Sequence, residues 1–400
     1  MISVSEAIRI ILEQSKPLPT ERAPLASTLR RILAEEIVAD SDLPPFDRAQ
    51  MDGYALRSSD LANLPTRLRL VGESAAGRGW HGVVKEGEAV RIMTGAPVPV
   101  GADSVQKVEV TREEDEVVFV KEATQPGQFI VPRASEIRRG EKVLLPGEEI
   151  NAAMMAVLAS FGYAEVLVSR RPRVAVLATG TELVKVNEKP GADQIRDSNT
   201  YSLASYAQLA GAFVERLPLA GDDPELLKRE IRDAAQRSDV LVLSGGVSMG
   251  VYDFTKAALK ALGAEIFFER VSLRPGKPTV FARMGRTLVF GLPGNPVSVS
   301  VTFNLFARTA LSAMQGCLAS ALKEEWAVLE RNVIGAIERA SYLPAQLETD
   351  ESGRQIARPL KWGGSSDFVA FARATALIIV PEGLRFVEAG TIVRTVRLPG

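Results

Sequence analysis

Ser244-Gly-Gly-Val-Ser-Met-Gly250 follows the apolar run Val240–Leu243 and precedes a helix expected from Asp253. Glycines there let the backbone approach a ligand closely, and a helix N-terminus offers free N–H groups to an anion. The spacing fits neither the dinucleotide fingerprint nor a Walker A loop. A tight turn without a ligand also fits. Leu292-Pro-Gly-Asn-Pro-Val-Ser298 repeats the pattern after a second apolar run, with Gly294 as the turn, Asn295 as N-cap and Pro296 as first helical residue. A capped helix alone would explain those residues. Two such loops at strand C-termini, where open α/β sheets bind ligands, favour a site. Arg274-Pro-Gly-Lys-Pro278 adds two cations held between prolines, either an exposed basic turn or an anion clamp.

Carboxylates fall in the same loops: Glu182, Asp222, Asp223 and Asp253. Such oxygens beside a phosphate-cradling loop suit a hard cation such as Mg²⁺, with Glu182, Asp222 and Asp253 as its candidate ligands. Asp223 precedes Pro224 and reads as a helix cap, which leaves Asp222 freer to face a ligand. Two further segments stand out: Pro45–Tyr54 packs acids, aromatic side chains and glycine into a stretch without clear periodicity, and Arg91–Pro97 follows a strand into a turn.

These loops need elements to hold them. From Arg173 to about Gln315 strands and helices alternate, as in an α/β layer structure. Strands are expected at Val174–Ala178, Phe213–Leu219, Val240–Leu243, Ile266–Val271 and Thr287–Phe290. Helices are expected from Ser198 or Asn199 to Gly211, from Asp223, from Asp253 to Gly263, and as one long helix after Pro296 that includes or ends near Cys317. Between Pro44 and Pro132 short apolar runs alternate with Gly and Pro, a β-rich grammar. There the acidic run Glu113–Glu116 reads as a solvated hairpin tip. Ile150–Val168 fits a buried Ala/Met-rich helix leading into a strand, and the last residues, with strands at Ala376–Val380 and Thr391–Leu398, fit a small β domain.

Composition narrows the function classes. Lys plus Arg (48) nearly cancels Asp plus Glu (49), so no basic field for nucleic acid exists. One cysteine, Cys317, excludes an internal disulfide framework and a Cys-rich zinc site, and one histidine, His81, excludes a His-rich metal centre. Cys317 reads as packing and His81 as surface. The N-terminal segment reads as an amphipathic helix with Ile8, Ile11 and Leu12 on one face, since Glu6, Arg9 and Glu13 interrupt any signal-like apolar core. No apolar run of about 18 residues is present, so a soluble, cytoplasmic protein without membrane association is expected.

Phe46-Asp-x-x-x-Met51-Asp-Gly-Tyr-Ala55, Arg91–Pro97, Ser244–Gly250 and Gly291–Pro296 occur in this order in one family. The chain resembles the MoeA family, the molybdopterin molybdenumtransferases, which is related to the C-terminal domain of gephyrin. The resemblance implies insertion of molybdate, or tungstate, into adenylylated molybdopterin with release of AMP and Mg²⁺ assistance. It implies a homodimer of four-part chains. The parts are a linking and dimerisation domain (1–43 plus 134–171), a β-rich domain (44–133), a molybdopterin-adenylyltransferase-like α/β domain (172–315) and a C-terminal β-barrel (316–400). The active cleft would combine the α/β and C-terminal domains of one subunit with the β-rich domain of the other. Transient contact with a molybdopterin adenylyltransferase is also expected.

Carried over by position, Asp52, Thr94, Glu182, Asp222 and Asp253 are the expected catalytic residues. Pro293, Gly294, Asn295, Pro296, Ser298 and Ser365 are expected to bind substrate. Arg274, Lys277 and N–H groups near Ser298 would hold the oxyanion, and those around Gly245, Gly246 and Ser248 the phosphates or the pterin-side group. The chain departs from the family at Thr181, where an acid is usual, at Glu136, where Asp is usual, and at Arg270 and Arg274, often lysine. The family's basic cluster near Tyr342–Leu347 is missing. Two rival readings are a molybdopterin adenylyltransferase, which would lack the Phe46–Ala55 and Arg91–Pro97 segments, and a gephyrin-like scaffold.

Overall fold

The computed structural model describes residues 1–220, 223–246 and 254–399. They form two compact units, one of Met1–Glu35, Pro146–Ala152 and Glu165–Gly400, the other of Glu36–Leu145 and Ala153–Ala164.

In the first unit a six-stranded sheet runs Phe213–Arg216, Arg173–Ala178, Val240–Ser244, Thr287–Leu292, Val280–Met284, Glu265–Phe268. The first four strands are parallel and the last two join antiparallel. Side chains alternate across the pleat. Val174, Val176, Val240 and Val242 enter one core with Val4, Ala7 and Ile11 of the N-terminal helix and Leu203 and Ala207 of the helix Asn199–Leu209. Ala175, Leu177, Leu241 and Leu243 enter another with Leu227, Ile231 and Ala234 of the helix Pro224–Arg237. Both faces are therefore covered, which is why Val240–Ser244 is apolar almost throughout and wholly buried. Phe281 anchors the first core, its ring 4.9 Å from Phe290 and 5.3 Å from Phe267.

Downstream, strands Glu324–Leu329, Ala340–Thr349, Gln355–Pro359, Ala376–Val380 and Ile392–Arg397 close on themselves into a barrel, because Ala340–Thr349 pairs with both Gln355–Pro359 and Ala376–Val380. The short strand Leu273–Arg274 adds parallel to the start of Ala340–Thr349. This stitches the basic loop of the α/β layer to the barrel.

The second unit centres on a sheet ordered Ser104–Lys107, Gly53–Leu56, Glu88–Ile92, Thr66–Ser74, Val117–Val120, Thr111–Glu114. Gly53 is fixed by space: a Cβ there would sit 2.0 Å from the Gln106 carbonyl oxygen of the next strand.

Several expectations change. The N-terminal helix Val4–Gln14 buries Val4, Ala7 and Ile11, while Leu12 faces outward. The strand expected at Ile266–Val271 ends at Phe268, and the one expected at Phe213–Leu219 ends at Arg216. After Pro296 the helix passes through a π-helical segment, Phe303–Ala307, and stops at Met314, so Cys317 lies beyond it. The helix Ala152–Ser160 buries only Leu158 and leaves Ala152, Ala153, Ala156 and Ala159 exposed, although its apolarity runs all round rather than on one face. The acidic run does form a hairpin, with Asp115 in the left-handed region. Its Glu113 is not merely solvated: it accepts from the Tyr54 hydroxyl at 2.5 Å and pairs with Arg91.

Candidate active site

Three loops at the C-terminal ends of adjacent parallel strands meet in the first unit. They follow Ala178, Ser244 and Leu292. Their backbones are tied together: Thr179 N–H donates to the Ser244 carbonyl at 3.0 Å, and Gly245 N–H to the Leu292 carbonyl at 3.2 Å. Gly245 and Gly246 both have positive φ, 92° and 63°. A Cβ on Gly245 would lie 2.6 Å from the Thr179 carbonyl oxygen, and one on Gly246 2.5 Å from Thr255 Oγ1. The glycines are thus required by loop-on-loop approach before any ligand is considered.

A cavity of about 680 Å³ opens over these loops, lined among others by Glu182, Asp197, Asn199, Gly245, Asn295 and Phe368. Asp197 accepts from Thr200 N–H at 3.0 Å and from the Thr200 hydroxyl, which fixes the start of the helix Asn199–Leu209. Asn199 Nδ2 donates to Ser244 Oγ at 2.9 Å and to the Gly294 carbonyl at 2.7 Å, bracing two loops, while its Oδ1 is buried without a protein partner. Neither Asp197 nor Asn199 was expected as a site residue. Their sequence, Asp-Ser-Asn before a helix, reads as ordinary capping.

A second cavity of about 400 Å³ lies beside the first and shares Asn295 with it. Among the described residues its wall carries three cations, Arg274, Lys277 and Arg339, with Ser298, Ser365 and Trp362, and no carboxylate. Arg274 is held by its pairing with Ser341 at the barrel edge. Gly276 lets the turn pass the adjacent helix, since a Cβ there would meet Thr302 Cγ2 at 2.4 Å. Asn295 occupies the N-cap position, but its side chain makes no cap bond. Its Nδ2 donates instead to Ser365 Oγ at 2.9 Å, and the Ser365 carbonyl accepts from Val297 N–H at 3.0 Å. The expected cap is therefore corrected: the side chain crosses to the C-terminal domain. Pro293 lines the second cavity, Pro296 and Gly294 the first. Arg339 and Trp362 were not anticipated. Although the basic cluster near Tyr342–Leu347 is absent, the barrel does supply a cation from the residue before its strand Ala340–Thr349.

For Mg²⁺, Glu182 is the described candidate. Its exposed carboxylate folds back over Gly180, whose missing Cβ would lie 2.4 Å from Glu182 Oε2. Among the described residues its oxygens meet no hydrogen-bond or ion-pair partner, and one hard-oxygen donor facing the larger cavity fits a partly hydrated Mg²⁺. Asp222, Ser248 and Asp253 lie outside the described residues. No group of three or more potential metal ligands exists among the described residues. Asp223 caps its helix as expected, accepting from Glu225 N–H at 2.9 Å and Leu226 N–H at 3.2 Å.

In the second unit, Asp52 and Thr94 are brought together although far apart in sequence. Asp52 Oδ1 accepts from both Thr94 N–H and Thr94 Oγ1 at 2.7 Å. The Thr94 N–H, then its hydroxyl, holds the exposed Asp52 carboxyl below the usual range.

Family models match nearly end to end: "MoeA N-terminal region (domain I and II)" over residues 2–162, "Probable molybdopterin binding domain" over 175–313, and "MoeA C-terminal region (domain IV)" over 327–398. The chain belongs to the MoeA family. A MoeA relative named molybdopterin molybdenumtransferase, from Staphylococcus aureus (strain COL), is 34% identical over 393 residues, covering 97% of this chain and 94% of its own. One of the same name from Bacillus subtilis (strain 168) is 34% identical over 403 residues, covering 98% and 93%. A crystal structure of the molybdopterin biosynthesis MoeA protein from Pyrococcus horikoshii superimposes with a TM-score of 0.84 at 30% identity, over 100% of both chains. The multidomain α/β-plus-barrel architecture is thus that of MoeA proteins.

Proposed function

We propose that the chain is a molybdopterin molybdenumtransferase, inserting molybdate into molybdopterin to form molybdenum cofactor. The carrying observation is the pair of adjoining cavities that share Asn295, one large enough for an organic ligand and one lined, among the described residues, by three cations and no carboxylate. A tetrahedral dianion suits Arg274, Lys277 and Arg339, where guanidinium forks favour bidentate contact with oxyanions. The first-turn N–H of Ser298 adds a helix N-terminus to the same wall. Molybdate and tungstate are both accommodated by this chemistry.

The larger cavity takes the pterin with its phosphates, beside the loop of Gly245 and Gly246 and against Gly294 and Pro296, while Pro293 faces the smaller cavity. Asn295, hydrogen-bonded to Ser365, stands between the two substrates and fixes their separation, so the sites act by proximity and charge stabilisation. The substrate is the adenylylated pterin, and AMP leaves. Glu182, with Asp222 and Asp253, would hold Mg²⁺, which when bound supplies a Lewis acid for phosphoanhydride oxygens. The chain acts as a homodimer of four-part subunits in the cytoplasm, and Asp52 and Thr94 of one subunit complete the cleft of the other. It receives its substrate by transient contact with a molybdopterin adenylyltransferase. The exposed alanines of the helix Ala152–Ser160 support association.

Incubation of the purified protein with adenylylated molybdopterin should release AMP only when molybdate is present. AMP release that ignores molybdate, or turnover of molybdopterin with ATP instead, would remove this reading in favour of the adenylyltransferase.

A further inference from the structure

Polar groups such as Asp197 and Asn199 make only part of the larger cavity's wall. Leu183, Pro190, Ile195 and Phe368 line it as well. Ile195 is 59% and Phe368 50% exposed. One exposed apolar side chain is ordinary, but two on the wall of a single cavity of organic-ligand size make a surface that gains from being covered. Among the described residues Phe368 joins no buried core and meets no other aromatic ring. Phe371, on the same short helix Phe368–Phe371, is by contrast buried with Val297 and Phe303.

The Phe368 ring stands on a braced backbone. Asp367 Oδ2 accepts from Gly363 N–H at 2.8 Å and Oδ1 from Ala370 N–H at 3.2 Å. Those two bonds, Gly363 first, hold the exposed Asp367 carboxyl below the usual range, so the brace is ionised at neutral pH. The Phe368 carbonyl accepts from Ala372 N–H at 2.9 Å, and Ser365 is tied to Asn295 and Val297. Along this one stretch Trp362, Gly364 and Ser365 line the smaller, cationic cavity, whereas Ser366 and Phe368 line the larger. The position of the ring is thereby fixed relative to the oxyanion wall.

We propose that Phe368 is the stacking platform on which the organic substrate lays a flat nitrogen heterocycle, with Leu183, Pro190 and Ile195 completing the apolar lining. The inference rests on the transferase reading and deepens it, since an adenylylated pterin carries two such rings, the pterin and the adenine. A phenyl face offers a large, rigid contact to a flat ring and gives up only two side-chain torsions. Its demand is for flatness as well as for apolar character, which an aliphatic side chain does not make.

Titration calorimetry of the full chain with 6-hydroxymethylpterin and with AMP tests it, with ribose 5-phosphate as the control that lacks a ring base. Phe368→Ala should weaken the probe whose ring lies on the platform by about 5- to 150-fold and leave ribose 5-phosphate unchanged. Loss for AMP alone assigns the platform to the adenine, and loss for the pterin alone assigns it to the pterin. Phe368→Leu keeps apolar bulk without a ring face and should lose as much, whereas Phe368→Tyr should bind as the wild type does. In turnover, Phe368→Ala should raise KM for adenylylated molybdopterin by the same factor, with a smaller change in kcat. Affinities for both probes within about twofold of wild type in folded Phe368→Ala would overturn the platform. So would wild-type affinity in Phe368→Leu, or no binding of either probe to the wild-type chain. The transferase reading is judged separately, by molybdate-dependent AMP release from the wild-type chain, which none of those results decides.

Discussion

The Asp52 carboxylate takes both of its close hydrogen bonds from one residue, Thr94, and that residue sets its acidity. Thr94→Val removes the hydroxyl and keeps the stronger N–H contribution. The Asp52 pKa should therefore rise toward the ordinary carboxylate value without reaching it, as read by carboxyl ¹³C NMR titration. The sign follows from linkage: a native pKa below the unfolded one stabilises the fold above the unfolded pKa, and this is lost as pH falls through the native value. Thr94→Val should accordingly shrink the acid-side loss of stability from this site. Gly245→Ala tests space instead, because the left-handed φ of 92° and the Thr179 carbonyl at 2.6 Å both oppose a Cβ. A destabilisation of about 1–3 kcal/mol is expected by urea denaturation. At this scale the sequence was legible wherever partners are local. Asp223 caps as its Pro224 neighbour suggested, whereas Asn295 spends its amide on Ser365, seventy residues away, which no local pattern encodes.

Elements read well where one physical cause dominates them. Val240–Ser244 is apolar because both sheet faces are covered, and the helix Pro224–Arg237 shows its cap and its buried stripe Leu227, Ile231 and Ala234 in the sequence itself. The helix Ala152–Ser160 misled, since apolar composition reports that a surface wants cover and not whether the same chain supplies it. Arg339 was invisible for the opposite reason. A single cation before a barrel strand looks like solvated surface until the Leu273–Arg274 pairing draws that strand's start to the basic loop. Its contribution is testable. Arg339→Ala should raise KM for molybdate by about 10- to 100-fold, the range for one charge-assisted contact to an oxyanion, with a smaller change in kcat. An unchanged KM would remove Arg339 from the oxyanion wall.

At the scale of the whole molecule, the four motifs of the family are divided between two compact units, those of Asp52 and Thr94 in one, those of Gly245 and Asn295, together with the Arg274 loop, in the other. That division is legible in the sequence as an order of segments, but the proposed homodimer with a cleft shared between chains is not, because assembly depends on surfaces rather than on motif order. Subunit mixing decides it. Homodimers of Asp52→Ala and of Arg274→Ala should each lose most molybdate-dependent AMP release. In heterodimers purified with two different affinity tags, one cleft would combine both mutations and the other neither. About half of wild-type activity per dimer should then return. If each chain instead completed its own cleft, both clefts of the heterodimer would carry one mutation and activity would stay at the level of the homodimeric variants. Recovery near one half therefore requires a cleft built from two chains, and no recovery in a confirmed heterodimer removes it.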